Sequence, residues 1–255
     1  MTLQVIALPG GVMPAELRYA SLVASLREDA ELHLKDLEVY AGEEPPTDYS
    51  VDLEVEALAG FADSLGLARF HLLGYSGGGF VSLAFAGAHP DRLLSLALFE
   101  PAAVPGRLGV EEARLDGRLR AALAGLNGRD FMRAFVSLQV RPGVELAEPA
   151  GDPPPWMRIR PAGLAAMLAA FGEYQFDRAC LRECEFPVFY GYGDLTGEQE
   201  EVKTSVLARL LPDVQIRRFR GVHHFVAPEQ IYTPEHVHAL RDLWARSVIG
   251  MGVEA

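Results

Sequence analysis

The chain has 255 residues, of which 49% are hydrophobic and 23% are charged, and its formal net charge is −12 at pH 7. This composition is typical of a soluble globular protein, and no stretch approaches the roughly 18 consecutive apolar residues of a membrane helix. The acidic balance disfavours nucleic acid and anionic membranes as partners, so we expect a small-molecule partner. The composition is also compatible with a homodimer.

The amino terminus and the two cysteines carry no further functional motif. The amino terminus lacks a basic segment followed by a long apolar core, so we expect no signal peptide and a cytoplasmic location. Cys180 and Cys184 stand four residues apart without nearby histidine ligands. This spacing favours two reduced thiols over a disulfide or a zinc site.

Apolar runs and helical periodicities alternate along the first hundred residues. The sequence predicts strands at Leu3–Leu8, Glu31–Val39, Phe70–Gly74 and Leu93–Phe99, and helices at Ala15–Arg27, around Val55–Leu65 and after Ser76. The run from Leu93 to Phe99 is nearly continuous, as expected of a parallel strand that is buried on both faces. The alternation predicts an α/β protein with a mostly parallel sheet between two layers of helices.

The character of the sequence changes between residues 104 and 184. Helical patterns at Glu111–Leu126, Asp130–Leu138 and Ala162–Phe171 are interrupted by prolines, and no strand is evident. We predict a helical cap of residues 104–184, inserted into a core of residues 1–103 and 185–255. The alternation then resumes with strands at Pro187–Tyr192 and Val214–Phe219 and helices at Glu198–Leu211 and Thr233–Ile249.

One serine stands where an apolar strand meets a helix with only small residues around it. Gly74, Ser76 and Gly78 fit the pattern G-x-S-x-G, in which the serine occupies a strained turn between strand and helix. The flanking glycines allow neighbouring backbone to pass without a Cβ clash. The helix N-terminus behind the serine favours negative charge, which suits the oxyanion of an acyl-transfer reaction. Ser76 is therefore the candidate nucleophile.

A serine hydroxyl needs a base, and the base needs a carboxylate that fixes its tautomer. Asp194 follows the strand Pro187–Tyr192, and His223 and His224 follow the last strand. Ligands bind at the carboxyl ends of the strands in open α/β sheets, so these residues are expected at one edge. The order along the chain is serine, aspartate, histidine.

These motifs resemble the α/β-hydrolase family over nearly the whole chain. Gly74–Gly78 resembles the family's nucleophile elbow, Tyr190–Asp194 its acid loop and Gly221–Phe225 its Gly-x-x-His-Phe loop. The resemblance implies a three-layer fold and the triad Ser76, Asp194 and His224. His223 is an alternative base. Glu100 is an alternative acid, because some relatives carry the carboxylate after the corresponding earlier strand.

Two departures from the family pattern affect these expectations. The chain opens on what resembles the family's third strand, so we expect a sheet trimmed to about six strands. Pro9-Gly10-Gly11 stands where the family often has His-Gly. The expected oxyanion-hole donors are backbone N–H groups, those of Gly77 and Gly11, with Val12 as an alternative donor.

The predicted function is a cofactor-independent serine hydrolase, without a metal, that cleaves a small-molecule ester or thioester through an acyl-enzyme. Carbon–carbon bond hydrolases, cofactor-free haloperoxidases and perhydrolases share the same triad, and a non-catalytic ligand receptor of this fold is a further alternative. Val12, Tyr75 and Trp156 are the predicted substrate contacts, although Trp156 could equally fill the core of the cap.

Overall fold

The computed structural model describes residues 2–146, 152–225 and 232–251, with the side chains of residues 248–251 excepted. Six strands form the sheet: β1 (Leu3–Leu8), β2 (Ala30–Leu34), β3 (Phe70–Tyr75), β4 (Leu93–Phe99), β5 (Val188–Gly193) and β6 (Val214–Phe219). Within the described ranges eight α-helices accompany them: α1 (Ala15–Leu26), α2 (Val51–Ser64), α3 (Gly77–Ala88), α4 (Val110–Leu123), α5 (Gly128–Leu138), α6 (Arg160–Glu173), α7 (Gln199–Leu210) and α8 (Pro234–Met251). No helix in the described ranges is both long and apolar enough to span a membrane.

The strands are arranged in the order β2-β1-β3-β4-β5-β6, and every neighbouring pair is parallel. This confirms the predicted six-stranded parallel sheet. The chain leaves β1 toward β2 at one edge and later returns to β3 on the other side of β1. Such a reversal creates a crevice at the carboxyl ends of the two strands, where ligands bind in open α/β sheets. The loop after β1 and the turn after β3 meet there.

Apolar residues cover both faces of the sheet. Ile6, Leu8 and Leu72 belong to a buried cluster with α2, α3 and α7. Val5 and Ala7 point to the opposite face, where they join a second buried cluster formed with α1 and α8. Side chains alternate between the two faces of a strand, so a strand buried on both faces must be apolar almost throughout. This explains the continuous apolar runs of the sequence.

The second strand is shorter than the sequence predicts. β2 ends at Leu34 instead of Val39, and the chain then forms a single 3₁₀ turn at Glu38–Tyr40. The buried carboxylate of Glu54 on α2 accepts hydrogen bonds from the N–H groups of Glu38 and Val39, at 3.0 and 3.2 Å. These bonds turn the chain toward α2, so Val39 packs in the core without extending the strand.

The chain between β4 and β5 is helical. It contains α4, α5 and α6, together with short 3₁₀ segments at Pro155–Ile159 and Arg178–Glu183. In the described part of this segment the only extended pairing is an isolated bridge between Val140 and Thr196. The helices agree with the predicted pattern. The limits of the cap, 104–184, stay a prediction.

Candidate active site

Ser76 lies at the tight turn between β3 and α3. Its backbone has φ 53° and ψ −116°, a positive-φ conformation that residues other than glycine rarely adopt. Such a conformation costs of the order of 1–3 kcal/mol and persists only where the surroundings enforce it. Here Ser76 N–H donates to the carbonyl of Phe99 at 3.1 Å, and Ser76 carbonyl accepts from Ala102 N–H at 2.8 Å. Both sides of the turn are therefore held by the end of β4 and the loop that follows it.

The glycines of the motif are required by close backbone contacts. A methyl group added at Gly74 would lie 2.3 Å from Ser82 Oγ and 2.7 Å from the carbonyl oxygen of Gly78. A methyl group added at Gly78 would lie 2.4 Å from the carbonyl oxygen of Pro9. Gly78 N–H donates to that same carbonyl at 2.9 Å. The contacts bring the loop after β1 against the first turn of α3.

Three buried side chains form a hydrogen-bonded chain at this turn. His224 Nε2 lies 3.0 Å from Ser76 Oγ, and His224 Nδ1 lies 2.6 Å from Glu100 Oε2. His224 is 3% exposed and Glu100 is 1% exposed. With its proton on Nδ1, the imidazole donates to the carboxylate and accepts from the serine hydroxyl. This is the tautomer that a general base for Ser76 requires.

The prediction that Asp194 contacts His224 is wrong. Asp194 Oδ1 accepts a hydrogen bond from Gly221 N–H at 2.7 Å, and Asp194 N–H donates to Phe219 carbonyl at 2.9 Å. Gly221 has φ +72°, so the aspartate holds a left-handed turn at the start of the histidine loop. Asp194 therefore fixes the loop that carries His224, while the alternative acid, Glu100, contacts the imidazole.

Glu100 is held by donors at both of its oxygens. Oε1 accepts from Gly193 N–H at 2.7 Å and from Thr196 Oγ–H at 2.6 Å, while Oε2 faces His224. Burial opposes ionisation of Glu100. The hydrogen bond and charge of His224, with the two donors at Oε1, outweigh that effect and keep the pKa of Glu100 below its usual range. The carboxylate is therefore ionised at neutral pH.

A stack of side chains packs against the histidine. The ring of Tyr75 lies 4.9 Å from the imidazole of His224 at an interplanar angle of 26°, and Tyr75 Oη–H donates to His224 carbonyl. The guanidinium carbon of Arg18 on α1 lies 3.6 Å from the centroid of the Tyr75 ring. Arg18 is 3% exposed, and its Nε and Nη2 have no hydrogen-bond partner among the described residues. Tyr75, a predicted substrate contact, is thus buried against His224 and holds its backbone.

The electrostatic surroundings keep His224 neutral. Burial lowers the pKa of His224 most strongly, and the hydrogen bond and charge of Glu100 oppose that effect. The positive charges of Lys203 and Arg18 lower the pKa of His224 further. Because a general base must be unprotonated, this environment suits catalysis at neutral pH.

A second buried charge cluster lies behind Glu100. Lys203 Nζ on α7 contacts Glu200 Oε1 at 2.5 Å and donates to the carbonyl of Pro101 at 2.5 Å. Tyr190 Oη–H donates to Glu200 Oε2 at 2.5 Å. Burial raises the pKa of Glu200 to about 7 against the attraction of Lys203, and the charge of Glu100 contributes to the rise. Lys203 also lines a cavity of about 140 Å³ between α4, α5 and α7.

Sequence reasoning missed Arg18, Glu200 and Lys203. They lie in helices whose periodicity is dominated by apolar positions, and an isolated charged residue in such a helix normally faces solvent.

His223, the alternative base, is the neighbour of His224 in the sequence but takes no part in the hydrogen-bonded chain from Ser76 to Glu100. Its Nδ1 accepts from Phe225 N–H at 3.2 Å, and no contact with Ser76 is found among the described residues.

The expected oxyanion donors lie beside the serine. Neither Gly11 N–H nor Gly77 N–H has a hydrogen-bond acceptor within the described ranges. Gly11 N lies 3.7 Å from the position that a Cβ at Gly77 would occupy. Tyr40 Oη–H donates to the Gly11 carbonyl at 2.6 Å, which holds the peptide that joins Gly11 to Val12 and so restrains the loop after β1. Two free N–H groups close together can stabilise an oxyanion.

Helix α6 covers this loop. A methyl group added at Gly11 would lie 2.5 Å from Leu164 Cδ2, and one at Gly77 would lie 2.2 Å from Met167 Cε. Val12, a predicted substrate contact, packs with Leu164 in a small apolar cluster under α4 and α5. Apolar side chains thus line the approach to the serine.

Trp156 and the two cysteines lie in the helical segment between β4 and β5. Trp156 is half-buried beside Arg160, 5.5 Å from its guanidinium carbon. Cys180 and Cys184 are free thiols, and burial raises the pKa of Cys184 to about 12. In the described part of the chain no group of three His, Cys, Asp or Glu residues is arranged to hold a metal ion.

Comparison with known families identifies the class of protein that this fold and site define. The family model described as the alpha/beta hydrolase fold matches residues 5–149, more than half of the chain. The chain therefore belongs to the α/β-hydrolase fold family.

Individual relatives are more distant. The chain is 43% identical over 54 residues to the putative carbamate hydrolase RutD of Caulobacter segnis, across 21% of this chain and 20% of that protein. It is 47% identical over 47 residues to the 2-hydroxy-6-oxononadienedioate/2-hydroxy-6-oxononatrienedioate hydrolase of Burkholderia vietnamiensis, across 18% and 16% of the two chains. The matches thus span about a fifth or less of these relatives. A hydrolase from Pseudomonas aeruginosa PA01 has the same fold, with a TM-score of 0.70, 21% identity and coverage of 95% and 89%.

Proposed function

We propose that the protein is a serine hydrolase that cleaves a small-molecule ester or thioester through an acyl-enzyme on Ser76, His224 and Glu100. The observation that carries this proposal is the continuous chain of contacts from Ser76 Oγ to His224 Nε2 at 3.0 Å and from His224 Nδ1 to Glu100 Oε2 at 2.6 Å. The role of the acid thus belongs to Glu100, and Asp194 holds the histidine loop.

The first half-reaction begins with proton transfer to the base. His224 Nε2 takes the proton of Ser76 Oγ as that oxygen attacks the substrate carbonyl carbon, and Glu100 stabilises the imidazolium that forms. The carbonyl oxygen becomes an oxyanion and accepts from Gly11 N–H and Gly77 N–H. A donor of this kind contributes roughly 3 kcal/mol to the transition state. Collapse of the intermediate breaks the bond to the leaving group, which departs as an alcohol or thiol with the proton of His224.

Water completes the reaction. His224 takes a proton from a water molecule, whose oxygen attacks the acyl carbon. The second intermediate collapses and breaks the bond to Ser76 Oγ, which regains its proton from His224. One ester and one water give one carboxylic acid and one alcohol, and every group of the protein returns to its starting state.

A labelling and turnover experiment tests the proposal. The parent protein should hydrolyse p-nitrophenyl butyrate, and a fluorophosphonate probe should label Ser76. Ser76→Ala should abolish both signals, because the variant lacks the attacking oxygen. Ser137→Ala is the matched control, since Ser137 is an exposed helical serine bonded only to the carbonyl of Arg133. Full turnover by Ser76→Ala, or labelling at another residue, would refute the mechanism.

The names of the two sequence relatives point to two other types of scissile bond. One is a putative carbamate hydrolase, and the other is named as a hydrolase of a 2-hydroxy-6-oxo dicarboxylate. The alternative functions are therefore carbamate hydrolysis and carbon–carbon bond hydrolysis on the same nucleophile. A panel of one ester, one thioester, one carbamate and one keto acid separates these reactions. Labelling of Ser76 without turnover of any member would favour a ligand receptor.

A further inference from the structure

Arg160, the first residue of α6, is a buried cation without a counter-ion. Its side chain is 3% exposed, and its Nε and Nη1 have no hydrogen-bond partner in the part of the chain that the structure describes. No ion pair joins it to a carboxylate within the described ranges. Burying a charged group is costly unless an opposite charge and hydrogen bonds compensate for it. The free donors therefore indicate a missing acceptor.

Aromatic rings hold the guanidinium in place but leave its Nε and Nη1 without an acceptor among the described residues. Its central carbon lies 3.8 Å from the centroid of the Tyr40 ring and 5.5 Å from that of Trp156. Stacking on a ring offsets part of the cost of burying the charge. Because the N–H groups lie in the plane of the guanidinium, stacking leaves them available at its edge. An arginine supported in this way is oriented to bind a planar anion.

The position of Arg160 links it to the candidate active site. Arg160, Gly163, Leu164 and Met167 form one buried face of α6. Leu164 and Met167 cover the oxyanion glycines, and Leu164 lies one turn after Arg160, about 6 Å along the helix axis. Tyr40, on which Arg160 stacks, donates its hydroxyl hydrogen to the carbonyl of Gly11. A single ring therefore separates the guanidinium from the oxyanion loop.

We propose that Arg160 binds a carboxylate on the acyl part of the substrate, so that the enzyme prefers half-esters of short dicarboxylic acids. This inference rests on the proposed ester or thioester hydrolysis. The site has one buried cation, which matches a single carboxylate. The neighbouring Arg158 has 77% of its side chain exposed and faces Glu43 at 3.8 Å, so it adds no second buried charge. The net charge of −12 also disfavours a larger polyanion.

Paired esters test the preference directly. The substrates are p-nitrophenyl hemiglutarate and p-nitrophenyl valerate, which have five-carbon acyl chains and differ in the terminal carboxylate. The parent protein should favour the hemiglutarate in kcat/KM. Arg160→Gln should lower kcat/KM for the hemiglutarate by about 10- to 100-fold, as expected for loss of a charged hydrogen bond, and leave the valerate within about threefold. Arg158→Gln is the matched control and should leave both substrates unchanged.

A binding measurement separates this inference from the proposed function. Ser76→Ala protein should bind glutarate in isothermal titration calorimetry, and the double variant with Arg160→Gln should not. If no ester is turned over but glutarate binds in this Arg160-dependent way, the anion site stands and the hydrolase mechanism falls. If the parent shows no preference for the hemiglutarate and glutarate binding does not require Arg160, the anion site is refuted. Arg160→Lys, which keeps the charge, should retain part of the binding if Arg160→Gln fails to fold.

Discussion

At the scale of single residues, the strained positions coincide with the candidate chemistry. Ser76 and Glu100 are the two non-glycine residues with positive φ in the described ranges, at 53° and 47°. They directly follow the adjacent strands β3 and β4, and His224 bridges their side chains. Strain at functional residues persists when packing over-determines the backbone. The strained turn at Glu100, after β4, is therefore as much a part of the candidate site as the strained turn at Ser76, after β3.

The first prediction separates Glu100 from Asp194. Glu100→Gln keeps the shape of the side chain but turns an acceptor for His224 Nδ1–H into a donor, which favours the tautomer with the proton on Nε2. We expect kcat to fall by roughly 10³- to 10⁴-fold. Asp194→Asn retains an oxygen for Gly221 N–H, so its activity should stay within about threefold of the parent. Steady-state hydrolysis of p-nitrophenyl butyrate measures both variants, and the reverse ranking would restore Asp194 as the acid.

The second prediction concerns pH. The pKa of His224 is lowered, so activity should rise with pH through a single ionisation below the ordinary histidine value. Arg18 lowers this pKa through its positive charge behind Tyr75. Arg18→Met should therefore raise the pKa of His224 and move the midpoint of the kcat/KM profile to higher pH. Arg27→Met, at the exposed end of the same helix, should leave the midpoint in place. A midpoint that is unchanged or lowered in Arg18→Met would exclude the stack as an electrostatic influence.

At the scale of elements, close backbone packing decides which glycines tolerate a side chain. The third prediction compares Gly78→Ala at the start of α3 with Gly60→Ala in α2. The added methyl group at Gly78 would meet the carbonyl oxygens of Pro9 and Leu8, whereas nothing lies within 4 Å of the corresponding position at Gly60. We expect Gly78→Ala to lower the free energy of unfolding by about 1–3 kcal/mol. Gly60→Ala should raise it by about 0.5–1 kcal/mol, because alanine restricts the unfolded chain.

Urea unfolding, followed by circular dichroism, measures both alanine variants. A Gly78→Ala protein as stable as the parent would mean that the loop after β1 can retreat from α3. Its rate of p-nitrophenyl butyrate hydrolysis then tests whether the loop still positions Gly11, which lies in it.

The elements also show where local sequence patterns are reliable. Five of the six strands lie close to their predicted positions, because buried parallel strands need continuous apolar runs. β2 differs because Val39 is apolar but is drawn into a 3₁₀ turn by the carboxylate of Glu54 on α2. This contact joins residues 15 positions apart, so no local pattern reports it. The packing of α2 overrides the strand preference of Val39.

At the scale of the whole molecule, the sequence predicts which edge of the sheet holds the site better than it predicts which side chains contact each other at that edge. The alternation of strands and helices predicts the parallel sheet and the carboxyl edge at which Ser76 meets the histidine loop, and the family resemblance selects His224 within that loop. β4 and β5 are neighbours that end at the same edge, so Glu100 and Asp194 are both topologically acceptable. The choice depends on backbone direction after each strand. The left-handed turn at Glu100 sends its side chain toward the imidazole, and this conformation has no local sequence signature.

The last prediction concerns the attachment of the helical segment to the sheet. Arg178 lies near the end of that segment and donates to the carbonyls of Val104 and Pro105 at its beginning, at 2.8 and 2.7 Å. Its two terminal nitrogens also donate to both carboxylate oxygens of Glu112 on α4, at 2.9 and 2.8 Å. These contacts join the two ends of the segment to each other and to its first helix.

Arg178→Met should remove these contacts and leave Glu112 as a largely buried carboxylate that keeps only the N–H of Gly109 as a donor among the described residues. Both side chains are largely buried, at 16% and 9% exposure, so we expect a loss of about 3 kcal/mol in the free energy of unfolding. For a chain of this size that corresponds to a decrease in Tm of about 6–12 °C. Arg182→Met, at an exposed position of the same 3₁₀ segment, is the control and should melt with the parent. If Arg178→Met also melts with the parent, the junction contributes only surface ion pairing, and the helical segment must be held by its apolar contacts alone.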